Sequence, residues 1–421
     1  MPLCRHSSLW LELPGQSTTS HVSFGGYAAL FLGFSLHVLP ANAAMTLASL
    51  VFLAAPMAVL PYLYFFSLPW MYVAKFDFGL TLSLVQSVVY LGRILLARQK
   101  MLFSPLEFAV LLYLLGTGFF GFQYSGSTTE ISFIFYFLIA NQVRHFYFRE
   151  TDTRRIFLHN LLFAIMVSVG IATLYGFVNG TSHLRHIVGL GYSNQLSGTL
   201  GTTRFAMYLC LALLYPLYCV PDKKLKYALA ALLSAGVIAT ISLSALPVLG
   251  FVWAYYFVAT GGKAKTLLLV FALVVAVGLG GALLWDRISS IPLFRPMAMR
   301  IEFTLDKLST GDLAKATSGR TVLFDSYMEG YARATLSEQL LGRHSVRTGD
   351  FQFSHNSYVD MLNCIGLFGL VLVLALQFKR IRDNLRYPEK DLLLSLKVIV
   401  LSLALTVSIF SAQFWQVFLY F

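Results

Sequence analysis

Long apolar segments separated by short polar connections run through most of the chain. They lack the alternation of apolar and polar residues that the strands of a membrane barrel require, so each segment predicts a helix. Because a helix needs about 20 apolar residues to cross a bilayer, the pattern predicts about twelve membrane-spanning helices. Their expected bounds are 24–39, 44–66, 77–96, 103–122, 130–143, 156–178, 205–220, 226–243, 245–260, 266–285, 358–378 and 392–415.

Two of these regions leave an alternative open. The stretch 44–75 has room for two short helices, and 392–421 has room for a helix followed by a returning half-helix. Either change would move a terminus to the other side of the membrane.

The composition supports an all-α polytopic membrane protein. Apolar residues make up 57% of the chain and charged residues 12%, a balance at which a soluble domain cannot cover its core with polar surface. The formal net charge is +12, which in a membrane protein first reports topology and does not imply a nucleic-acid partner. The four cysteines include no pair at metal-ligand spacing, so no metal site is expected.

Basic residues concentrate in four short connections, at 93–100, 144–155, 223–226 and 379–386. Lysine and arginine are enriched on the cytoplasmic side of membrane proteins, so these connections are expected to face the cytoplasm. Counting crossings from them places two segments on the exoplasmic side. The predicted domains are a helix bundle over 1–285 that includes the exoplasmic loop 179–204, a large exoplasmic loop over 286–357, and C-terminal membrane helices over 358–421.

The loop 179–204 has the composition of an anion site. It contains Arg185 and Arg204 with many glycines and hydroxyls, and no carboxylate to pair with the arginines. Glycine-rich backbone can offer N–H groups in concave arrangements, and a guanidinium matches phosphate oxygens two at a time. The alternative is a flexible loop whose arginines contact lipid headgroups, with Arg204 as an anchor at the membrane boundary.

The loop 286–357 is expected to fold as a small domain, since its nine Lys and Arg are nearly matched by eight Asp and Glu. Within it, the apolar spacing over 317–342 predicts one amphipathic helix on the membrane surface, capped by Thr317 or Ser318 and closed by Gly342. Arg320 then falls in the first turn, where a cation opposes the helix dipole. An anionic ligand at this helix end would explain it, and a salt bridge to Asp325 or Glu302 is the alternative.

The motif His355–Asn356–Ser357 lies where the large loop re-enters the membrane. An imidazole with a near-neutral pKa is suited to take a proton from a hydroxyl, although a lone histidine is more often a hydrogen-bonded structural group. Asp360 can orient His355 if the chain bends between them. The glycines that follow, Gly366 and Gly369, are expected to let neighbouring helices pack closely.

Four motifs carry a family resemblance: Ser-Gly-Arg at 318–320, Leu-Leu-Gly-Arg-His at 340–344, His-Asn-Ser at 355–357, and the glycines at 366 and 369. With a large exoplasmic loop before the last two helices, the chain resembles the superfamily of O-antigen ligases and O-antigen polymerases. The resemblance implies a GT-C-like fold and an inverting, metal-independent membrane glycosyltransferase without a cofactor. Such an enzyme transfers a glycan from undecaprenyl diphosphate to a sugar hydroxyl, on lipid A core in ligases or on another lipid-linked repeat unit in polymerases.

The resemblance also implies roles for individual residues. His355 matches the catalytic base and Arg320 the arginine that meets the diphosphate, while Arg204 and Arg185 are the candidates for a second arginine. Arg343 and Asn356, within the matching motifs, are expected to bind substrate.

The implied setting is the bacterial inner membrane, among its lipids, with the active site on the periplasmic face. The ligase is the favoured activity and the polymerase the alternative. A transporter of a lipid-linked glycan is a further hypothesis, disfavoured because few charges lie within the predicted spans.

Overall fold

A computed structural model of the chain describes residues 19–67, 70, 82–98, 101–125, 129–178, 202–240, 242, 244–261, 285–291, 295–311, 320–343 and 356–406. Over these ranges the chain forms sixteen helices and no strand. The all-helical architecture predicted from the apolar pattern is therefore confirmed for this part of the chain.

Most helices occupy the predicted apolar segments, with ends that differ by a few residues. In the first half of the chain they are α1 (Thr19–Ser35), α2 (Ala41–Ala54), α3 (Leu60–Ser67), α4 (Leu82–Leu96), α5 (Pro105–Ser125), α6 (Thr129–Tyr147), α7 (Thr151–Val178) and α8 (Thr202–Cys219). In the second half they are α9 (Lys223–Ala239), α10 (Ala245–Thr260), α11 (Trp285–Ser290), α12 (Arg295–Ser309), α13 (Arg320–Ala332), α14 (Leu336–Leu341), α15 (Ser357–Asn384) and α16 (Lys390–Thr406). The predicted span 266–285 lies outside the described residues except for its last position.

The predicted span 44–66 is two helices, which corrects the single helix expected there. Pro56 lies in the connection between α2 and α3, and proline cannot donate the backbone hydrogen bond that a continuing helix needs. Ala55 before it is extended, with φ −60° and ψ 148°, as a residue that precedes proline usually is. The alternative of two short helices is the correct one for this segment.

Two helices among the described residues are long and apolar enough to cross a membrane, Thr151–Gly176 and Ser357–Asn384. Several apolar helices of 10–17 residues accompany them. These helices support membrane insertion, and the number of twelve crossings stays a prediction.

The first compact unit comprises Met1–Val85, Arg155–Asp306 and Asp391–Ile399. Aromatic side chains fill part of its core, where the rings of Phe31 and Trp70 are 5.1 Å apart. The indole N–H of Trp70 donates to the hydroxyl of Ser168 over 3.0 Å, so this polar atom is satisfied although the side chain is fully buried. α8 contacts both α9 and α10 and is buried from 205 to its end at 219, as expected of a helix that is apolar all round.

The second compact unit comprises Gln86–Arg154, Lys307–Lys390 and Val400–Phe421. α15 is its central helix, because it packs against α5, α13 and α14. One side of α15 is an exposed apolar stripe formed by Leu367, Phe368, Val371 and Phe378, which fits a surface that contacts lipid.

Charged residues meet at one end of the second unit. Arg154 donates to Glu389 over 2.7 Å, and the two side chains are 3% and 1% exposed. Arg380 and Lys379 lie 2.8 and 3.3 Å from the same carboxylate oxygen of Glu107. The basic connections 144–155 and 379–386 therefore lie at the same end of this unit, as a shared cytoplasmic location requires.

Candidate functional site

The predicted site residues differ in how far the structure describes them. His355 and Arg185 lie outside the described residues. Arg320 is the first residue of α13, and Arg204 lies in the first turn of α8; the structure describes the backbone of both arginines and not their side chains. Arg343 and Asn356 are described in full and lie on either side of the segment that carries His355.

The amphipathic segment 317–342 is not one helix, which corrects the sequence prediction. α13 ends at Ala332 and α14 begins at Leu336, and the expected caps Thr317 and Ser318 lie outside the described residues. Thr335 caps α14 in a reciprocal arrangement with Glu338, whose carboxylate accepts from the backbone N–H of Thr335 over 2.8 Å. The spacing Thr-x-x-Glu is a known start signal for a helix, so the sequence contained the information that this break required.

Side chains fix the turn between α13 and α14. The amide nitrogen of Gln339 donates to the carbonyl oxygens of Tyr331, Ala332 and Ala334, each over 3.2 Å. The hydroxyl of Tyr331 donates to the carbonyl of Gln339 over 2.9 Å. Burial raises the pKa of Tyr331, so the phenol stays a donor near neutral pH. Hydrogen bonds therefore join the end of α13 to α14.

The pKa of Glu338 is lowered below its ordinary value of 4.5. The main cause is the backbone N–H of Thr335, and the hydroxyl of Thr335 adds to the effect. Hydrogen bonds to the charged form of a carboxyl favour that form. The cap on α14 is therefore built on an ionised carboxylate at neutral pH.

Gly342 closes α14, as predicted, and touches α15 at Cys364 and Gly366. Its φ is +92°, a conformation that favours glycine. A Cβ at Gly342 would overlap the carbonyl of Cys364 and lie 2.7 Å from the backbone nitrogen of Gly366. Only a residue without a side chain allows the two backbones to approach this closely.

α15 is a discontinuous helix that breaks at Gly366, where φ is 66° and ψ is −178°. This region of backbone space is accessible almost only to glycine. Two carbonyl groups beside the break have partners from other segments. The carbonyl of Asn363 accepts from the backbone N–H of Arg343 over 2.8 Å, and that of Ile365 accepts from the hydroxyl of Tyr113 over 2.7 Å. Irregular backbone inside a membrane protein needs such partners.

The expectation that Gly366 and Gly369 permit close packing is confirmed. A Cβ at Gly369 would lie 2.6 Å from the ring of Tyr113, which extends from α5. Gly366 lies against the backbone at Leu340 and Gly342. The close neighbours are thus α5 and the end of α14.

Arg343 links three elements. Its backbone N–H bonds to Asn363 in α15, it follows the end of α14, and its guanidinium Nη2 donates to the carbonyl of Gly330 in α13. Among the described residues its Nε has no hydrogen-bond partner, although that atom is buried. Arg343 therefore has a structural role, and its buried Nε–H is a donor that the described residues leave unused.

Asn356 is the N-cap of α15. Its side-chain oxygen accepts from the backbone N–H groups of Tyr358 over 3.0 Å and Val359 over 3.3 Å. Asn356 and Asn363 are seven residues apart on one helix, which is about 10 Å at the helical rise. Since Arg343 is bonded to Asn363, the two residues that flank the segment 344–355 both meet the first two turns of α15, and His355 is the residue before the cap in the sequence.

Asp360, suggested as a partner for His355, is fully buried on α15. Its backbone N–H donates to the carbonyl of Asn356 over 3.0 Å, which places it one turn after the cap. Asn363 is 1% exposed and follows on the same face. The first half of α15 thus carries buried polar side chains directly after the histidine.

Sequence reasoning missed two residues of this region, Tyr113 and Asn363. Tyr113 stands in the apolar run FAVLLYLLG, and nothing in that run distinguishes it from a lipid-facing aromatic residue. For Asn363 there was a signal, because Asn356, Asp360 and Asn363 repeat at helical spacing through an otherwise apolar segment.

No group of three or more His, Cys, Asp and Glu at metal-binding distance occurs among the described residues. Metal independence stays a prediction, since His355 and its neighbours are outside that set.

Comparison with known proteins returns no family model, no curated protein and no solved structure that matches the chain. The resemblance to the O-antigen ligase and polymerase superfamily therefore rests on the motif residues and on the predicted arrangement of the loops.

Proposed function

We propose that the protein is an O-antigen ligase-type membrane glycosyltransferase in a bacterial inner membrane. It takes a glycan from undecaprenyl diphosphate and transfers it, with inversion, to a hydroxyl of lipid A core on the periplasmic face, without a metal ion. Transfer to another lipid-linked repeat unit, as in a polymerase, is the same chemistry with a different acceptor.

One observation carries the proposal. The two residues that flank the segment 344–355 are both anchored at the first two turns of α15, Arg343 through its bond to Asn363 and Asn356 as the N-cap. His355 is the residue directly before this cap, and we propose that the two anchors hold it near α13, which packs against α15 and begins at Arg320. A catalytic base needs such a fixed location relative to its substrate.

The proposed reaction follows from the residue types. The acceptor oxygen forms a bond to the anomeric carbon, the bond from that carbon to the diphosphate oxygen breaks, and the hydroxyl proton passes to the imidazole of His355. Arg320 and one arginine of loop 179–204, Arg204 or Arg185, offset the negative charge that develops on the leaving diphosphate.

The test is reconstitution of the full chain in proteoliposomes with a lipid-linked glycan donor, offering lipid A core and repeat-unit acceptors in parallel. Transfer to lipid A core only identifies a ligase, and chain growth identifies a polymerase. His355→Ala and Arg320→Ala are expected to lower kcat at least about a hundredfold. The matched controls are His145→Ala, on α6, and Arg333→Ala, an exposed arginine of the same loop; both should keep wild-type activity. Full activity of His355→Ala would disprove the assignment of the base.

A second candidate function, translocation of a lipid-linked glycan, is favoured by one feature. Helices broken in mid-course, like α15 at Gly366, are common at the substrate sites of transporters. In proteoliposomes a transporter would move a labelled lipid-linked glycan between leaflets without an acceptor. Since translocation needs no catalytic base, His355→Ala should keep the wild-type rate of this movement. A transferase would change the glycan chemically and need the acceptor.

A further inference from the structure

A polar stripe runs along the first half of α15 from its N-cap. Asn356, Asp360 and Asn363 follow each other at i, i+4 and i+7, so they share one helix face. Asp360 is 0% and Asn363 1% exposed. Buried polar side chains in a helix as apolar as α15 usually serve a substrate pathway or a binding site.

Asn363 has one side-chain atom to spare at the inner end of this stripe. Its amide nitrogen donates to the carbonyl of Val359 over 3.0 Å. Its Oδ1 is buried and accepts no hydrogen bond from the described residues. Buried acceptors in folded proteins are nearly always used, so this oxygen is expected to meet a donor.

Arg343, which is bonded to Asn363 through the backbone, carries a complementary group. The backbone bond between Arg343 and Asn363 makes the two residues direct neighbours. The guanidinium is held at one end by its bond to the carbonyl of Gly330, and its buried Nε–H has no partner within the described part of the chain. One unused donor and one unused acceptor therefore belong to adjoining residues.

The Nε–H donor of Arg343 and the Oδ1 acceptor of Asn363 together suit one kind of ligand group. A hydroxyl group both accepts and donates, so its oxygen can accept from Arg343 Nε–H while its proton is donated to Asn363 Oδ1. A phosphate oxygen that is ionised has no proton to donate, and it would face the lone pairs of Asn363 Oδ1. The two residues thus fit an alcohol better than a diphosphate.

We propose that Arg343 and Asn363 form a subsite for a sugar hydroxyl of a glycan substrate. The inference rests on the proposed glycan transfer and deepens it, because it assigns Arg343 to the sugar and leaves the diphosphate to Arg320 and the arginines of loop 179–204. The hydroxyl belongs either to the donor glycan or to the acceptor, and the two sources share this chemistry.

The first experiment measures binding and needs no catalysis. The affinity of the full-length protein is compared for undecaprenyl diphosphate that carries a glycan, for bare undecaprenyl diphosphate, and for lipid A core. The wild type is expected to prefer a glycan-bearing ligand over the bare lipid. Asn363→Leu keeps the size of the side chain and removes the acceptor. It should lower the affinity for that ligand about tenfold and leave the affinity for the bare lipid unchanged.

The second experiment identifies the source of the hydroxyl by kinetics. If the donor sugar occupies the subsite, Asn363→Leu raises KM for the lipid-linked glycan alone; if the acceptor does, it raises KM for lipid A core alone. Arg343→Lys keeps the positive charge and removes the Nε–H, so it should raise the same KM. It also provides the test if Asn363→Leu does not fold.

Asn384 is the matched control. It lies in the same helix, is 1% exposed, and its Oδ1 likewise has no partner among the described residues. Asn384→Leu should change thermal stability as Asn363→Leu does and change no affinity. Unchanged ligand preference and unchanged KM in Asn363→Leu and Arg343→Lys would mean that the pair binds water only, and the proposal would be wrong. If the variants lose the preference for glycan and the wild type shows no transfer, the subsite is supported and the glycosyltransferase function is refuted.

Discussion

Gly342 and Gly366 bring the end of the loop helix α14 into backbone contact with the break in α15. Each occupies a conformation with positive φ, +92° and +66°, and neither has room for a Cβ. The contact is followed at once by Arg343, which bonds to Asn363 and is the last described residue before the segment that carries His355.

The first prediction is that Gly366→Ala strongly destabilises the protein. The backbone conformation alone costs about 1–3 kcal/mol for a residue with a Cβ, and the added Cβ overlaps the carbonyl of Leu340. We expect a loss of about 3 kcal/mol or more in the free energy of unfolding, measured by denaturation in detergent. Gly116→Ala is the control, since a Cβ there has no described heavy atom within 4 Å and a helical glycine gains about 1 kcal/mol on replacement by alanine. Equal stability of the two variants would contradict the contact.

The second prediction concerns the hydroxyl of Tyr113. Tyr113→Phe leaves the carbonyl of Ile365 without the donor that it has at 2.7 Å, which should cost about 1–3 kcal/mol. Hydrogen exchange of the amides at 366–370 should also become faster. Gly369→Ala should displace the same ring, because its Cβ would lie 2.6 Å from Tyr113.

The double variant Tyr113→Phe, Gly369→Ala separates this account from two independent defects. Both changes act on one ring. The double variant should therefore lose clearly less free energy of unfolding than the two single variants lose together. Full additivity would show that Tyr113 does not hold the break.

The all-helical fold could be predicted because helices are indicated by the pattern of apolar residues that are close together in the sequence. The sequence predicted Gly342 as a helix end and Gly366 and Gly369 as close-packing sites for the same local reason. It did not predict the break in α15, since a glycine within an apolar run looks alike whether its φ is negative or positive. The partners that require the break, Gly342 and Tyr113, are distant in sequence.

The sequence predicted which residues flank the candidate site, but it did not predict their hydrogen-bond partners. The motifs located Arg343 and Asn356 beside the histidine segment. They did not show that Arg343 donates to Gly330 and Asn363, or that Asn356 caps α15, because those partners follow from tertiary packing. The division of 317–342 into two helices was a different case, because the Thr335–Glu338 capping pair was visible in the sequence and was outweighed by the longer apolar pattern.

The third prediction tests the buried ion pair of Arg154 and Glu389. Removing one partner leaves a charge without compensation in a site where the side chains are 3% and 1% exposed, and such changes cost about 3–5 kcal/mol. The guanidinium of Arg154 also lies 4.0 Å from the ring centre of Tyr387. Arg154→Met should therefore lower the free energy of unfolding by about 3 kcal/mol or more.

The control for this prediction is the exposed pair of Arg333 and Glu329, whose side chains are 77% and 62% exposed. Surface pairs contribute little to stability, so Arg333→Met should leave the unfolding transition almost unchanged. A similar small effect of Arg154→Met would show that water reaches the Arg154 pair.

The fourth prediction is a pH dependence of the α14 cap. Because the folded protein lowers the pKa of Glu338 below 4.5, the ionised carboxyl stabilises the cap above that pH, and this stabilisation is lost as the pH falls through the lower folded value. The protection factors for amide exchange at Thr335 and Glu338, taken relative to an unfolded chain at the same pH, should fall over this acidic range. Glu338→Gln retains a capping side chain and does not titrate, so its exchange should not show this step. A step of equal size in the variant would assign the titration to another group.

The fifth prediction distinguishes two roles of Asn356, as a cap and as a substrate ligand. Its side-chain oxygen accepts from Tyr358 and Val359, and aspartate can do the same at an N-cap. If the cap is what positions the neighbouring His355, Asn356→Asp keeps both stability and glycan transfer. Asn356→Ala should lose about 1 kcal/mol of stability and lower kcat, with KM for both glycans near the wild-type value. If Asn356 binds the substrate through its amide N–H groups, Asn356→Asp folds normally and its KM rises, because aspartate has no N–H to donate.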